Sequence, residues 1–249
     1  MADADNQDVR DETPYLSFNN TITPHESLGP KPKDDELDRL KKVDPRLLYT
    51  WTVWEQHVAP KDKKVEYADL SKPSVSFNTV KEFWACWNHL PQPSELLQGK
   101  KFTRQQPDGS RVIVDSLMIF RQGVKPEWEA PENVKGGHFQ LQLKPQLGGG
   151  AIDELWNNIV LGMIGGGIEP SDMIQGVRLV DKLGHKTKPV IRIELWFNDL
   201  DTDDTGRLYN LRGNFERCMG TGLDGNVRKP TWGNTEKVQH QTNPGGRKH

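Results

Sequence analysis

The chain has 249 residues and a formal net charge of −2, with 33 basic and 35 acidic side chains. That length suits one sizeable domain, and the near-neutral balance argues against a protein that coats polyanions over its whole surface. No stretch approaches the roughly 20 apolar residues of a membrane helix, and two cysteines are too few for a disulfide framework or a zinc site. We therefore expect a cytoplasmic protein, with the nucleus as a second location, that carries no metal or other cofactor.

Charge and composition divide the chain into three parts. Residues 1–43 carry ten acidic and six basic side chains, four prolines and few large apolar residues, which is typical of a disordered acidic tail. Residues 226–249 carry five basic side chains and one acidic side chain, which predicts a basic flexible tail. The residues between them, 44–225, are predicted to form a single folded domain.

In the first half of this domain, a strand pattern is followed by a helix pattern. Residues 49–58 are aromatic and β-branched, which predicts a strand. Residues 79–90 begin with Thr79 and Glu82 at the spacing of a capping box, and their apolar residues recur at helical spacing. Residues 111–120 follow Pro-Asp-Gly and are typical of one arm of a hairpin.

In the second half of the domain, strand patterns and helix patterns again follow one another. Residues 138–143 alternate between polar and apolar, which predicts a strand, and residues 152–164 place their apolar side chains on one helical stripe. Residues 174–182 and 190–198 are two further strands joined by a lysine-rich loop, and residues 208–218 mark a third helix. Adjacent strand pairs between three helices favour an α+β fold with an antiparallel sheet, one face of which takes the helices while the other is available to a ligand.

Motifs of the common enzyme classes are missing. The chain has no phosphate-binding loop and no serine-nucleophile elbow, and its Gly-Gly-Gly runs at 148–150 and 165–167 stand in no dinucleotide fingerprint. The seven histidines show no zinc spacing. The sequence therefore favours a binding protein over an enzyme, although an enzyme such as a nucleotide hydrolase can assemble its site from scattered residues.

An aromatic and acidic pair stands out in the loop after residue 120. Trp128 and Glu129 lie between Pro126 and Pro131. A tryptophan face attracts a positively charged purine, and a neighbouring carboxylate accepts hydrogen bonds from the base edge. Basic residues at Lys135 and around the 182–192 loop are candidates for phosphate contacts. The pattern favours a nucleotide or a nucleic-acid end, with an exposed turn aromatic and a solvated hairpin end as the alternatives.

Six motifs follow one another along the chain: Trp51-Thr-Val-Trp54, Phe77–Trp84 with Asn88-His89, Gly123–Glu129, Lys135–Phe139, Glu154–Gly165 and Ile193–Trp196. With these motifs in this order, the chain resembles the eukaryotic translation initiation factor 4E family of messenger-RNA cap-binding proteins over roughly residues 44–225. The resemblance implies a curved antiparallel sheet backed by three helices, with a cap slot on the concave face and no catalysis.

The resemblance also implies how the 7-methylguanine base is held. The family stacks the base between two tryptophans, and Trp128 matches one of them. The other position falls on Tyr67, which offers a smaller ring. Glu129 matches the carboxylate that contacts the base edge, and Trp196 matches the tryptophan near the methyl group.

Phosphate contacts are implied in the same way. His138 stands where the family has an arginine, so a weaker or pH-dependent contact is expected from a group that is nearly neutral at pH 7. Lys182 and Arg192 match two further basic positions. The loop between them is longer than usual, so Lys186 and Lys188 are candidates as well.

On the helix-covered face, the family binds an adaptor helix of the Tyr-x-x-x-x-Leu-apolar type. A scaffold of the initiation factor 4G type, or another adaptor helix, is thus the implied protein partner. Where the family has Leu-Glu, this chain has Asn157-Asn158, which puts the choice of partner in question. The matching contact residues are Pro45, Val80, Trp84 and Leu161.

Further departures indicate a divergent paralogue from a protist. The stretch 100–120 is longer than usual and is expected to add a hairpin or a loop near the Trp128 side. Trp232 and Lys237 are predicted to contact nucleotides beyond the first, in a cap that carries several methylated nucleotides. The competing interpretation is a translation-related adaptor that uses the helical face and has weak or lost cap binding.

Overall fold

The structure is a computed structural model that describes residues 15–19, 21–22, 35, 38–39, 42–60, 65–198, 205–223, 225–228, 230 and 232–240, with only the backbone of Tyr67 and Thr205. The rest of both predicted tails lies outside the described residues. In the part of the chain that is described, no helix is long and apolar enough to cross a membrane.

From residue 46 onwards, the described residues form eight strands and five α-helices. The sheet is antiparallel, with strand order β2-β1-β4-β6-β7-β5-β8, and β3 pairs with β4. This confirms the predicted α+β fold; α2, α4 and α5 are the predicted helices, and α1 and α3 are additional single turns. The elements are β1 (Arg46–His57), α1 (Tyr67–Leu70), β2 (Ser71–Thr79), α2 (Val80–Trp87), α3 (Ser94–Leu97), β3 (Thr103–Gln105), β4 (Arg111–Arg121), β5 (Gly137–Leu143), α4 (Gly149–Ile164), β6 (Ile174–Lys182), β7 (Val190–Phe197), α5 (Thr205–Gly220) and β8 (Glu236–Gln239).

The two faces of the sheet have different roles because successive side chains along a strand point in opposite directions. Ile119, Val177 and Leu195 face the helices and are fully buried in the main core. The helices contribute Trp87 and Trp156 to this core, and each large side chain buried in this way stabilises the fold by about 1.5–3 kcal/mol. The opposite face, here called the concave face, carries a second cluster: Met118, Phe120, Val124 and Trp196, with Trp54 packed against it.

Helix α2 begins where the capping-box spacing predicts. The Thr79 hydroxyl accepts a hydrogen bond from the backbone N–H of Glu82 at 3.2 Å, and the Glu82 carboxylate accepts one from the N–H of Asn78 at 2.8 Å. Such a cap contributes about 1 kcal/mol. The helix buries Phe83 and Trp87, whose rings stack with centroids 5.4 Å apart.

The insertion at 100–120 forms a hairpin, but its predicted position is wrong. Strand β3 pairs with Arg111–Ile113 at the start of β4, whereas the Trp128 loop leaves from the other end of β4 at Arg121. Lys101 pairs with Asp181 at the end of β6. The hairpin therefore lies beside the β6–β7 turn and not near Trp128.

The folded part of the chain extends beyond the predicted domain limits. Strand β8 pairs with β5 through the register His138 to Val238, although it falls inside the predicted basic tail. Residues 15–19 pack against α4, although they fall inside the predicted acidic tail. A strand of four residues and a segment without a regular element show no periodicity in sequence, so neither could be detected there.

A close backbone approach joins β5 to β7 at Gly136. A Cβ atom at this position would lie 1.9 Å from the carbonyl oxygen of Phe197. We expect Gly136→Ala to lower the free energy of unfolding by about 1–3 kcal/mol, because the two strands would have to separate. Urea denaturation of the full chain measures the change.

Gly213→Ala is the matched control, since a Cβ at this helical position would meet no atom within 4 Å. It should be neutral or stabilising by up to about 1 kcal/mol. Equal stability of the two variants would contradict the close approach at Gly136.

Candidate functional site

The loop between β4 and β5 presents Trp128 at the edge of the concave face. Asn133 is 1% exposed, and its Nδ2 donates to the carbonyl oxygens of Lys125 at 2.7 Å and Glu127 at 2.8 Å. These bonds fix the backbone immediately before Trp128. Because the loop is held in this way, the Trp128 ring remains 44% exposed, with Glu129 exposed beside it.

Two histidine rings support Trp128. The His240 ring lies 5.7 Å from the Trp128 ring with 17° between their planes, and the His138 ring lies at 6.2 Å and 26°. The two imidazoles are only 5.3 Å apart. Rings on opposite faces of an indole would be separated by about 7 Å or more, twice the van der Waals contact distance. Both histidines therefore lie on the same side of Trp128.

The hydrogen bonds of the two histidines indicate their protonation state. His240 Nδ1 lies 3.0 Å from the carbonyl oxygen of Asn133, and His240 Nε2 lies 3.1 Å from His138 Nδ1. Because a carbonyl only accepts, His240 Nδ1 carries the proton and donates. If His240 is neutral, its Nε2 accepts from His138 Nδ1, and one proton on each ring satisfies both bonds.

Burial favours the same neutral forms. His138 is 2% exposed and His240 is 4% exposed. Loss of solvation is the main cause that lowers the pKa of His138 to about 4, and it also lowers the pKa of His240. The prediction that His138 contacts a phosphate is thus corrected, because its ring is neutral, buried and already hydrogen-bonded.

Trp196 lies beneath the histidines. Its ring is 1% exposed, stacks on His138 at 5.8 Å and 18°, and meets the Phe120 ring edge-on at 5.2 Å. Its Nε1 donates to Glu194 at 2.9 Å, which fixes the orientation of the indole. Trp196 is thus on the predicted face, but it is covered by the two imidazoles and does not itself form the surface.

Glu194 is a buried acidic residue of the concave face. It is 1% exposed, and its carboxylate lies 2.8 Å from Arg192 Nε and 3.8 Å from Arg178 Nη1. Burial alone would raise the pKa of Glu194, but the charges of Arg178 and Arg192 outweigh burial and hold the pKa below its usual value. Glu194 therefore stays ionised and aligns both arginines on the concave face.

The predicted phosphate-binding residues divide into two groups. Lys182 and Arg192 lie on the concave side of adjacent strands, with Lys182 3.9 Å from Asp115. Arg192 is four residues, or about 13 Å, from Trp196 along β7. Lys186 and Lys188 are exposed in the turn between β6 and β7. The structure thus brings Lys182 and Arg192 onto the face of the site and leaves the other two lysines at its end.

Three other predicted residues have different outcomes. The backbone of Tyr67 begins α1, but its side chain lies outside the described residues. Trp232 is 8% exposed and belongs to the main core, so its predicted base stacking is corrected. Lys237 pairs with Phe139, whose side chain lies in that core. Since paired residues share a face, Lys237 points away from the concave face, and its predicted contact is corrected as well.

Sequence reasoning missed several residues of the site. Glu194 lies two residues before Trp196 on β7, and Arg178 lies opposite Glu194 on β6. Each is flanked by apolar residues that point to the other face of the sheet, so this alternation with a period of two could have indicated both. Asn133 and His240 gave no such signal. His240 follows a four-residue strand inside the predicted tail, and Asn133 lies in a loop without a motif.

On the opposite side of the sheet, two of the predicted partner residues lie on helix α2, a third lies beside its start, and the fourth lies on α4. The carbonyl oxygen of Pro45 accepts a hydrogen bond from the N–H of Val80 at 3.0 Å, which places the exposed Pro45 at the start of α2. Trp84 is half-buried and contacts Phe83 and Phe18, and Leu161 is half-buried on α4.

Asn158, one of the two departures from the family, has partners inside this domain. Its Nδ2 donates to the carbonyl oxygens of Thr221 at 2.8 Å and Met219 at 3.3 Å. It therefore ties α4 to the end of α5.

The chain was compared with family models and with curated proteins. The model of Eukaryotic initiation factor 4E matches residues 46–242. Eukaryotic translation initiation factor 4E of Saccharomyces cerevisiae is 34% identical over 179 residues, which cover 71% of each chain. The Candida glabrata factor of the same name is 32% identical over 170 residues, covering 68% of this chain and 69% of that protein.

Solved structures show the same fold. A complex of C. elegans eIF4E-3 with the 4E-binding protein Mextli superposes with a TM-score of 0.59 at 21% identity, covering 80% of this chain and 95% of that one. Ascaris suum eIF4E-3 with an m2,2,7G cap superposes with a TM-score of 0.56 at 22% identity, covering 78% and 97%. The family model spans most of the chain and the yeast relative exceeds 30% identity, so the chain belongs to the eukaryotic translation initiation factor 4E family.

Proposed function

We propose that the protein binds the 7-methylguanosine cap of messenger RNA at the concave face and acts in translation initiation without catalysing a reaction. Membership of the family supports a cap-binding initiation factor in general. The observation that carries the specific site is Trp128, an exposed indole supported on one side by two neutral imidazoles, with Glu129 next to it.

The base is expected to stack on the side of Trp128 that faces away from His138 and His240. Methylation gives the guanine a positive charge, which the π-face of the indole attracts. Two protonated histidines behind the ring would oppose that attraction, so their neutrality favours a cationic base. Glu129 accepts hydrogen bonds from the base edge. We propose the Tyr67 ring as the second stacking surface.

The phosphates are proposed to contact Lys182 and Arg192, with Lys186 and Lys188 available to further phosphates or nucleotides. Glu194 supports Arg192 by keeping its guanidinium on the concave face. His138 is given a different role from that expected, since it lies between Trp196 and Trp128 and supports the Trp128 ring from behind. Caps with additional methyl groups belong to the same proposed ligand class.

For the helical face, we propose an adaptor helix of the Tyr-x-x-x-x-Leu-apolar type as the partner, such as that of a 4G-type scaffold. Two structural neighbours support this, namely the C. elegans protein solved with the 4E-binding protein Mextli and a schistosome factor solved with m7GpppA and 4E-BP. The proposed contact residues are Pro45, Val80, Trp84 and Leu161. Such a factor would act in the cytoplasm; a nuclear location stays a prediction.

A second candidate is an adaptor with weak or lost cap binding. The burial of His138 favours it, because one expected phosphate contact is absent from the site. Titration with 7-methyl-GTP and with unmethylated GTP separates the two. Cap binding requires tighter binding of the methylated nucleotide, whereas an adaptor that has lost the site would bind neither.

Replacement of Trp128 tests the stacking site. Removal of one stacking ring costs about 1–3 kcal/mol per base, so Trp128→Ala should weaken 7-methyl-GTP binding about 5- to 150-fold. Isothermal titration calorimetry measures the affinity. Tyr209→Ala is the control, because this tyrosine is 78% exposed on α5. If Trp128→Ala and Tyr209→Ala bind alike, the base does not stack on Trp128.

Acid should destabilise the protein through His138. The pKa of this group is about 4 in the folded protein and 6.5 in the unfolded chain, so the unfolded state takes up the proton first as the pH falls. Stability is therefore unaffected above pH 6.5 and decreases from there towards pH 4. The lowered pKa of His240 acts in the same direction.

We expect the wild type to lose about 2 kcal/mol more than His138→Phe between pH 7 and pH 5. Urea denaturation at both pH values measures the difference, and His89→Phe, at an exposed histidine, should behave like the wild type. Identical pH dependence of wild type and His138→Phe would disprove that the buried His138 is neutral.

A further inference from the structure

The helical face is already occupied in part by the protein's own N-terminal segment, here residues 15–19 and 21–22. The Phe18 ring meets the Trp84 ring with centroids 5.6 Å apart and planes at 61°. Ser17 is fully buried and Asn19 is 6% exposed. The segment therefore covers part of the Trp84 surface that is proposed to receive an adaptor helix.

A buried carboxylate links the segment to α3 and α4. Asp153 is fully buried and accepts hydrogen bonds from the Ser17 hydroxyl at 2.5 Å and from the Ser94 N–H and hydroxyl at 2.7 and 2.6 Å. Asn19 Nδ2 donates to the Ser94 hydroxyl at 2.7 Å. Departure of the segment would remove a donor from a buried acid, which is costly unless water or another group replaces it.

Asn157 points to the same interaction. Its Nδ2 donates to the carbonyl oxygen of Leu16 at 2.8 Å. The family resemblance implies a leucine at this position, where it contacts the adaptor. In this chain the side chain instead binds the backbone of the N-terminal segment. Asn157, one of the two residues at which this chain differs from the family, therefore has a hydrogen-bond acceptor within the chain itself.

The glycines that begin α4 make room for the segment. A Cβ at Gly150 would lie 2.6 Å from Cδ2 of Tyr15, and a Cβ at Gly149 would lie 2.9 Å from Cδ1 of Ile22. Glycine lowers helix stability by up to about 1 kcal/mol relative to alanine. The close approach explains Gly149 and Gly150, whereas Gly148 has a φ of 89° and a Cβ there would meet no atom within 4 Å.

We propose that the N-terminal segment is an intramolecular ligand of the helical face, which an adaptor helix must displace to bind at Trp84. This inference rests on the proposed adaptor function of that face. Because only the open form binds the adaptor, the apparent affinity is reduced by the open fraction. A segment that is docked in about nine-tenths of the molecules would weaken binding about tenfold.

The test uses the full chain and a fluorescently labelled synthetic peptide of the pattern Tyr-x-x-x-x-Leu-Leu. Phe18→Ala removes the ring that contacts Trp84. Gly150→Ala adds a methyl group on α4 that would clash with the Tyr15 ring of the docked segment. Both variants should bind the peptide several-fold to tenfold more tightly than the wild type by fluorescence anisotropy. Gly213→Ala, which adds the same methyl group to α5 without a contact, should bind like the wild type.

Hydrogen exchange supplies an independent readout of displacement. Saturating peptide should accelerate amide exchange in residues 15–22 of the wild type. Equal affinity in all variants, or unchanged exchange in the segment, would overturn the proposed competition while leaving the adaptor surface in place. Binding in no variant would overturn the adaptor surface itself, and the competition with it.

Discussion

In the register of β5 against β7, His138 lies opposite Trp196, and the two rings stack. The close approach of Gly136 to the carbonyl of Phe197 holds the start of this pairing, and β8 pairs with the other edge of β5. His240, directly after β8, then reaches both His138 and Trp128. The stacked rings of Trp196, His138 and His240 therefore support the exposed Trp128 indole. The pairing of β5, β7 and β8 sets the positions of these rings.

The same burial that stabilises these rings also sets their charge. Because desolvation lowers the pKa values of His138 and His240, the stack behind Trp128 is neutral. The positive charge of the concave face is instead provided by Arg178, Arg192 and Lys182, and Glu194 balances part of it from below. A neutral stacking platform thus lies on the same sheet as a basic strip, as recognition of a cationic base followed by phosphates would require.

Both faces of the sheet are coupled to chain ends that lie outside the predicted domain. The C-terminal part adds β8 and His240 to the concave face. In the segment of residues 15–19 and 21–22, Phe18 contacts Trp84 and Ser17 completes the hydrogen bonds of Asp153 on the helical face. In each case a short segment with little structure of its own supplies a hydrogen-bond partner to a buried side chain of the central domain, His138 or Asp153. The differences from the family at 138 and 157 are found at these two places.

Local patterns in the sequence determined the antiparallel α+β fold, the starts of α2 and the β4 hairpin, and the exposed position of Trp128 between prolines, because these depend on neighbours within a few residues. Only the tertiary structure decided that His138 is buried, that Trp232 belongs to the core and that the insertion lies beside the β6–β7 turn. Asn133, His240 and Ser17 were beyond the reach of sequence patterns. Their environments arise from contacts between residues up to 136 positions apart, and burial and pKa depend on such contacts and not on local periodicity.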